Sequence, residues 1–296
     1  MATIYTHADS NIRKTWLLFS LFFVLVIGVC WVFSYRYDNQ FILVFGVVFS
    51  GLMSFISYWN SDKIVLAMTR AIPIEKKDSP ELYNLVENLC ITAGLPMPKI
   101  FILDEAQPNA FATGRDANHA VIAVTRGLLE KLEKPEIEGV IAHELSHIGN
   151  KDMLLATATV ILVGFVSLLS NWFLRSGFRR SGRDSREKGG IGGILAILGI
   201  ILAILSPLFA TLLQLSISRK REFLADASGA LLTRFPEGLA SALEKIARDQ
   251  SPLTVANDVT AHLYIANPFR GRKLSSLFMT HPPVEERIRI LREMNL

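Results

Sequence analysis

Residues 143–147 read His-Glu-Leu-Ser-His, inside the run Pro135-Glu-Ile-Glu-Gly-Val-Ile-Ala-His-Glu-Leu-Ser-His-Ile148. Ile137, Val140, Ile141, Leu145 and Ile148 recur at helical spacing, Pro135 suits a first helical turn, and Gly149-Asn150 offers a cap. The run is therefore expected to be a helix. On a helix, positions four apart share a face, so His143 and His147 can reach one metal ion. Glu144 projects beside them, where it can take a proton from water on that metal. The string alone is moderate evidence; its helical register without an internal proline strengthens it.

A catalytic zinc site uses three protein ligands and keeps one position open. The third ligand must come from elsewhere, and the best candidate lies in Ser218-Arg-Lys-Arg-Glu222-Phe-Leu-Ala-Asp226. Glu222 and Asp226 are four apart and share a helix face. Such a pair suits Glu222 as a ligand, with Asp226 hydrogen-bonding a ligand imidazole and fixing its tautomer. An acidic pair among cations is also what an ordinary solvated face looks like, so this assignment leans on the motif before it.

The rest of the 296-residue chain is half hydrophobic, with 20% charged residues, which excludes disorder as its main state. Four long runs hold the excess: 16–35, 41–59, 154–174 and 191–217, nearly a third of the chain. A helix needs about 20 apolar residues to cross the hydrocarbon core, so four transmembrane helices are expected. Trp16, Tyr35, Tyr58 and Trp59 at the ends of the first two suit the membrane interface. The last two runs could instead form a shallow hairpin. The first run is read as a retained anchor, because it exceeds a signal-peptide core and lacks a small-x-small cleavage site.

These runs divide the chain into an N-terminal anchor (1–59), a first hydrophilic block (60–153), a membrane hairpin (154–217) with a basic loop at 175–190, and a second block (218–296). Two spans separate the blocks, so they lie on one side. Near-membrane Lys and Arg number 11 on that side against 7 on the other, a modest preference for a cytoplasmic location that the basic loop opposes. Helices are expected at 79–94, 126–132, 135–148, 219–233, 237–249 and 283–294, and strands at 99–103, 109–113 and 120–124. The fold class is thus mainly α with a small β-sheet. A net charge of +4 carries no sign of nucleic-acid binding, and Cys30 and Cys90, both in apolar runs, read as small buried hydrophobes. His7, His119 and His262 have no evident partner in the sequence and read as structural or exposed.

Four ordered stretches carry a family resemblance: His-Glu-Leu-Ser-His-Ile-Gly-Asn-Lys-Asp-Met at 143–153, Ser-Arg-Lys-Arg-Glu-Phe-Leu-Ala-Asp-Ala-Ser-Gly-Ala at 218–230, Pro-Asn-Ala-Phe-Ala-Thr-Gly at 108–114 and Thr-His-Pro-Pro-Val-Glu-Glu-Arg-Ile at 280–288. With them the chain resembles the HtpX-type integral-membrane zinc metalloproteases, in the peptidase family that also holds the CAAX prenyl proteases. The resemblance spans the whole chain and implies a gluzincin-like, membrane-embedded fold with one zinc ion per chain. It implies that His143, His147 and Glu222 hold the metal, that Glu144 is the general base and that Asp226 steadies a ligand. It implies that Asn109, Ala110 and Phe111 form an edge strand for substrate backbone, a role that fits the free N–H and C=O groups of such an edge. It further implies that His281 and Arg287 steady the oxyanion, although His281 could equally cap the helix that follows. The expected substrates are membrane proteins or peptides at the bilayer, in quality control of damaged membrane proteins; the oligomeric state is left open. A zinc-bound scaffold or holdase without proteolysis is the alternative, against which Glu144 stands, since a scaffold has no use for a base there.

Overall fold

The computed structural model describes residues 4–162, 164, 219–256, 260–268 and 282–295. Two long apolar helices open the chain, α1 (Ile4–Tyr37) and α2 (Gln40–Trp59). Asp38 turns the chain at φ 48°, and the Asn39 side chain accepts the Phe41 N–H at 3.0 Å, starting α2. Leu17, Val24, Trp31, Phe41, Phe45 and Phe55 all point outward. Their length and exposed apolar faces make these two helices candidate membrane spans. Trp16 stacks on Tyr58 at 6.3 Å, so the two helices bring their interfacial aromatics to one end.

Two of the four expected spans are thus present as candidate membrane helices. Of the third run, 154–162 belongs to a shorter apolar helix, α7 (Asp152–Leu162). The remainder of that run lies outside the described residues save for 164, and the fourth run and the loop 175–190 lie outside them entirely. Within α7, Leu155, Ala158 and Leu162 pack on Leu18, Phe19 and Phe22 of α1.

The hydrophilic part starts with α3 (Ser61–Thr69), which the sequence reading did not anticipate. It is closed by Arg70 in the left-handed region. A two-residue strand β1 (Ile72–Pro73) leads to α4 (Pro80–Ala93), which ends on Gly94 at φ 65°, where glycine carries no Cβ penalty. Then come β2 (Lys99–Leu103), β3 (Ala110–Thr113), β4 (Val121–Thr125), α5 (Arg126–Lys131) and α6 (Lys134–Gly149). After the undescribed stretch follow α8 (Arg219–Thr233), α9 (Pro236–Arg248) and α10 (Val284–Arg292). The fold is mainly helical with one small mixed sheet, in the order β1-β2-β4-β3. β2 and β4 run parallel, the other two pairings are antiparallel, and β3 forms an edge.

One apolar core joins residues on both sides of the undescribed stretch. Val86, Ile122, Leu128, Val140, Ile141 and Leu145 pack in it with Leu239, Leu243, Ile246 and Leu291. A polar clamp supports it: Glu136 in the first turn of α6 accepts Ser241 Oγ at 2.6 Å and Lys245 Nζ at 2.8 Å from α9. Burial alone would raise the Glu136 pKa, but these bonds outweigh it and hold the carboxyl below its ordinary value.

Candidate active site

α6 carries His143 and His147 on one face. Their Nε2 atoms are 3.1 Å apart and the rings are nearly perpendicular. Glu222, in the first turn of α8, brings Oε1 to 3.6 Å from His147 Nε2 and Oε2 to 3.9 Å from His143 Nε2. The three ligand atoms thus lie within 4.8 Å of one another. Tetrahedral zinc with bonds of 2.0–2.1 Å separates its ligand atoms by about 3.3 Å. The donor set therefore fits such an ion in both spacing and chemistry.

Close packing of α8 on α6 makes this possible. At Gly229 a Cβ would stand 2.9 Å from the His143 backbone nitrogen, so only hydrogen is accommodated there. With Ala225 fully buried one turn earlier, the small residues of α8 let Glu222 reach the imidazoles.

Each histidine is backed by a carboxylate. Asp226 Oδ1 lies 2.9 Å from His143 Nδ1, off the line of an ideal hydrogen bond, and Asp152 Oδ2 lies 3.1 Å from His147 Nδ1. The sequence reading anticipated the Asp226 contact and missed Asp152. The signal was present, since Asp152 closes the same motif five residues after His147. Four carboxylates (Glu144, Asp152, Glu222, Asp226) face two guanidinium groups (Arg221, Arg287) here. This surplus of negative charge is one that a divalent cation offsets.

The charges are strongly tuned. Burial pushes the Glu144 carboxyl up to about 7, and Glu222 adds to this; His147, the Ala112 backbone N–H bonded to the carboxylate, and Arg287 pull it down. Burial disfavours charge on His147, but Asp152, Glu222 and Glu144 outweigh it and bring the imidazole up to about 9. His143 is lowered by burial, with Asp226 opposing. Asp226 is raised by burial, but Arg287 and His143 bring it down to about 2.

Two expectations need correction. Arg287 does not face the cavity between the histidines. Its Nε and Nη2 bond the two oxygens of Asp226 at 2.8 and 2.6 Å, and Nη1 donates to the Ile265 carbonyl at 3.0 Å. Nη1 also stands 3.8 Å from Glu222 Oε2, so Arg287 braces Asp226 from beside the ligand carboxylate. The edge strand is also not open at Asn109, Ala110 and Phe111, which are fully buried. The Ile265 N–H donates to the Ala110 carbonyl at 2.9 Å, and the Asn109 side chain donates to the Ala266 carbonyl at 3.1 Å. Residues 264–266 thus cover this part of the edge, and Ala112 is the strand residue that borders the cavity.

The cavity holds about 50 Å³ and is bounded by Glu144, His147, Glu222, Arg221 and, unexpectedly, His262 and Tyr264. His262 is buried in its wall, whereas the sequence reading set it aside; nothing in its local sequence signalled this. His281 lies outside the described residues.

The model of a family described as Peptidase family M48 matches residues 76–295. A Protease HtpX homolog of Dictyoglomus thermophilum is 44% identical over 293 residues, covering 99% of this chain and 95% of that protein. One from Caldanaerobacter subterraneus subsp. tengcongensis is 43% identical over 297 residues, covering 99% of each. One from Thermococcus sibiricus is 43% identical over 285 residues, covering 94% of this chain and 96% of that protein. The crystal structure of S. mikatae Ste24p matches with a TM-score of 0.50 at 21% identity, covering 94% of this chain and 67% of that one, a likeness of fold.

Proposed function

The chain belongs to peptidase family M48, and from that premise we propose that this membrane zinc metalloprotease uses His143, His147 and Glu222 to hold one zinc ion and Glu144 as its general base. The observation that carries the reading is the convergence of those three ligand atoms within 4.8 Å, with the Glu144 carboxyl buried beside them. When bound, zinc supplies Lewis-acid chemistry, acidifying water and polarising a carbonyl.

The residues of the chain do the remainder. Glu144 accepts a proton from the attacking water and returns it to the leaving amine. Burial raises the pKa of its carboxyl in the metal-free site, which favours return of the proton to the leaving group. Asp152 holds the outer nitrogen of His147 and so fixes its ring, and Asp226 places its negative charge 2.9 Å from the outer nitrogen of His143. Arg287 acts one step further out, holding Asp226 in place.

The position of the site supports membrane-protein substrates. His147 stands five residues before the apolar helix α7, which packs on α1. The Arg115 guanidinium lies 4.6 Å over Trp59 and donates to its backbone carbonyl, tying the sheet to the end of α2. A site framed this way favours segments presented at the bilayer surface, and removal of damaged membrane proteins is the role we assign. Blocks 60–153 and 218–296 are read as halves of one catalytic domain, a reading supported by their common core. We place the chain in a bacterial inner membrane with that domain in the cytoplasm; the modest Lys/Arg bias of the sequence favours that orientation.

The test is cleavage of a detergent-solubilised membrane protein by the purified full-length chain, with and without a zinc chelator and after zinc is restored. Cleavage that stops with chelator and returns with zinc is expected. Bound zinc without any cleavage would instead establish the non-proteolytic scaffold.

A further inference from the structure

Asn11 lies at the start of the apolar stretch Ser10–Val32 of α1, far in sequence from the metal cluster, yet it is buried against it. Its Nδ2 donates to Asp152 Oδ1 at 2.6 Å and to the Asn150 carbonyl at 3.1 Å. Its Oδ1 accepts Arg221 Nη1 at 3.2 Å, and that same Nη1 reaches Asp152 Oδ1 at 3.2 Å. The other oxygen of Asp152 is the one on His147 Nδ1.

We propose that Asn11 is a positioning residue for the metal site, acting through Asp152 on His147, so that the first membrane helix is part of the catalytic frame. This rests on the reading of His143, His147 and Glu222 as metal ligands.

The physical reason lies in the geometry of a carboxylate. Its two oxygens move together about one torsion, so donors on Oδ1 set where Oδ2 points. Asn11 and Arg221 hold Oδ1, and Oδ2 is thereby turned to the imidazole. Asn11 also holds the turn on which Asp152 sits. Lys151 in that turn has φ 56°, a left-handed conformation that a residue with a Cβ adopts at a cost. The Asn150 carbonyl bonded to Asn11 immediately precedes it. Arg221 is the neighbour of Glu222, so the same amide touches the chain beside two of the three ligands. Asn11 touches neither substrate nor metal; its effect passes through Asp152. Outer hydrogen-bond partners of metal-bound histidine are typically worth about 10- to 100-fold in metal affinity.

The experiment uses the full-length chain in detergent, stripped of metal and titrated with Co²⁺, whose visible bands report ligand geometry, and with Zn²⁺ for affinity. Asn11→Ala should weaken metal affinity about tenfold or more and shift the cobalt bands. Ser50→Ala removes a buried hydroxyl that bonds only within α2, and should leave both readouts as in the parent. If Asn11→Ala does not fold, Asn11→Ser, too short to reach Asp152, is read in the same way. A folded Asn11 variant with parental affinity and spectrum would overturn the proposal, as would an equal loss in Ser50→Ala. His147→Ala separates the underlying reading: if that variant binds metal like the parent, the ligand assignment itself fails.

Discussion

Arg287 closes a two-pronged bond on Asp226, with both partners buried and the Asp226 carboxylate 2.9 Å from His143 on its far side. A planar guanidinium matches a carboxylate in this way and a lysine ammonium does not. Arg287→Ala leaves a buried charge unpaired and should cost about 3–5 kcal/mol of stability. Arg287→Lys keeps the charge but loses the fork. It should lower zinc affinity while remaining folded, as read by metal titration alongside a thermal melt. Undiminished affinity in a folded Lys variant would show that Asp226 holds its place unaided.

The same pair sets a pH dependence. Asp226 has an ordinary pKa of 3.8 and is held at about 2 in the folded protein. A lowered folded-state pKa contributes stability that is fully present above the unfolded value and disappears as the pH falls through the folded one. Metal-free protein should therefore lose this contribution between about pH 4 and pH 2. Asp226→Asn should melt with a flatter pH dependence across that interval. Parallel melting curves for the two proteins would argue against the bond as a source of acid sensitivity.

Glu144 is separable from the metal ligands. Glu144→Gln retains the shape but cannot accept a proton, so cleavage should fall about 10²- to 10⁴-fold with zinc content unchanged. Metal analysis and a cleavage assay on one preparation check both halves. Full proteolysis by this variant would sink the assignment.

Packing at Gly229 makes a prediction about a residue with no polar side chain. Gly229→Ala places a Cβ 2.9 Å from the His143 nitrogen, so α8 must move outward. Overpacking of this kind typically costs about 1–3 kcal/mol. Because Glu222 rides on α8, zinc occupancy should drop with stability. Parental zinc content would show that the helix pair tolerates the shift.

The local elements were largely legible. Ser79-Pro80 and Gly94 bracket α4 as expected, and α8 spans Arg219–Thr233 as its pattern foretold. The end of α6 differs in detail: Asn150 remains right-handed and Lys151 takes the left-handed turn. Helix α3 lies at the start of the first hydrophilic block, where the local pattern gave no element before 79. Of the site, the two histidines and Glu144 follow from spacing on one helix, and Glu222 with Asp226 from spacing on another.

What spacing could not reveal are contacts between elements distant in the chain. Arg287 shares a motif with His281, yet its direction is decided by Asp226, 61 residues away. The closure of β3 by residues 264–266 depends on Ile265 meeting Ala110. His262 enters the cavity wall only because that segment lies along the strand. The sequence by itself determined the two N-terminal apolar helices, the helical faces and the chemistry each face carries, because periodicity and composition act within a few residues. Only the tertiary structure decided which faces meet. Asn11 of the membrane helix reaches Asp152 across 141 positions because apolar packing of α1 on α7 and burial of Arg221 place them together. Periodicity along the chain carries no record of such a meeting.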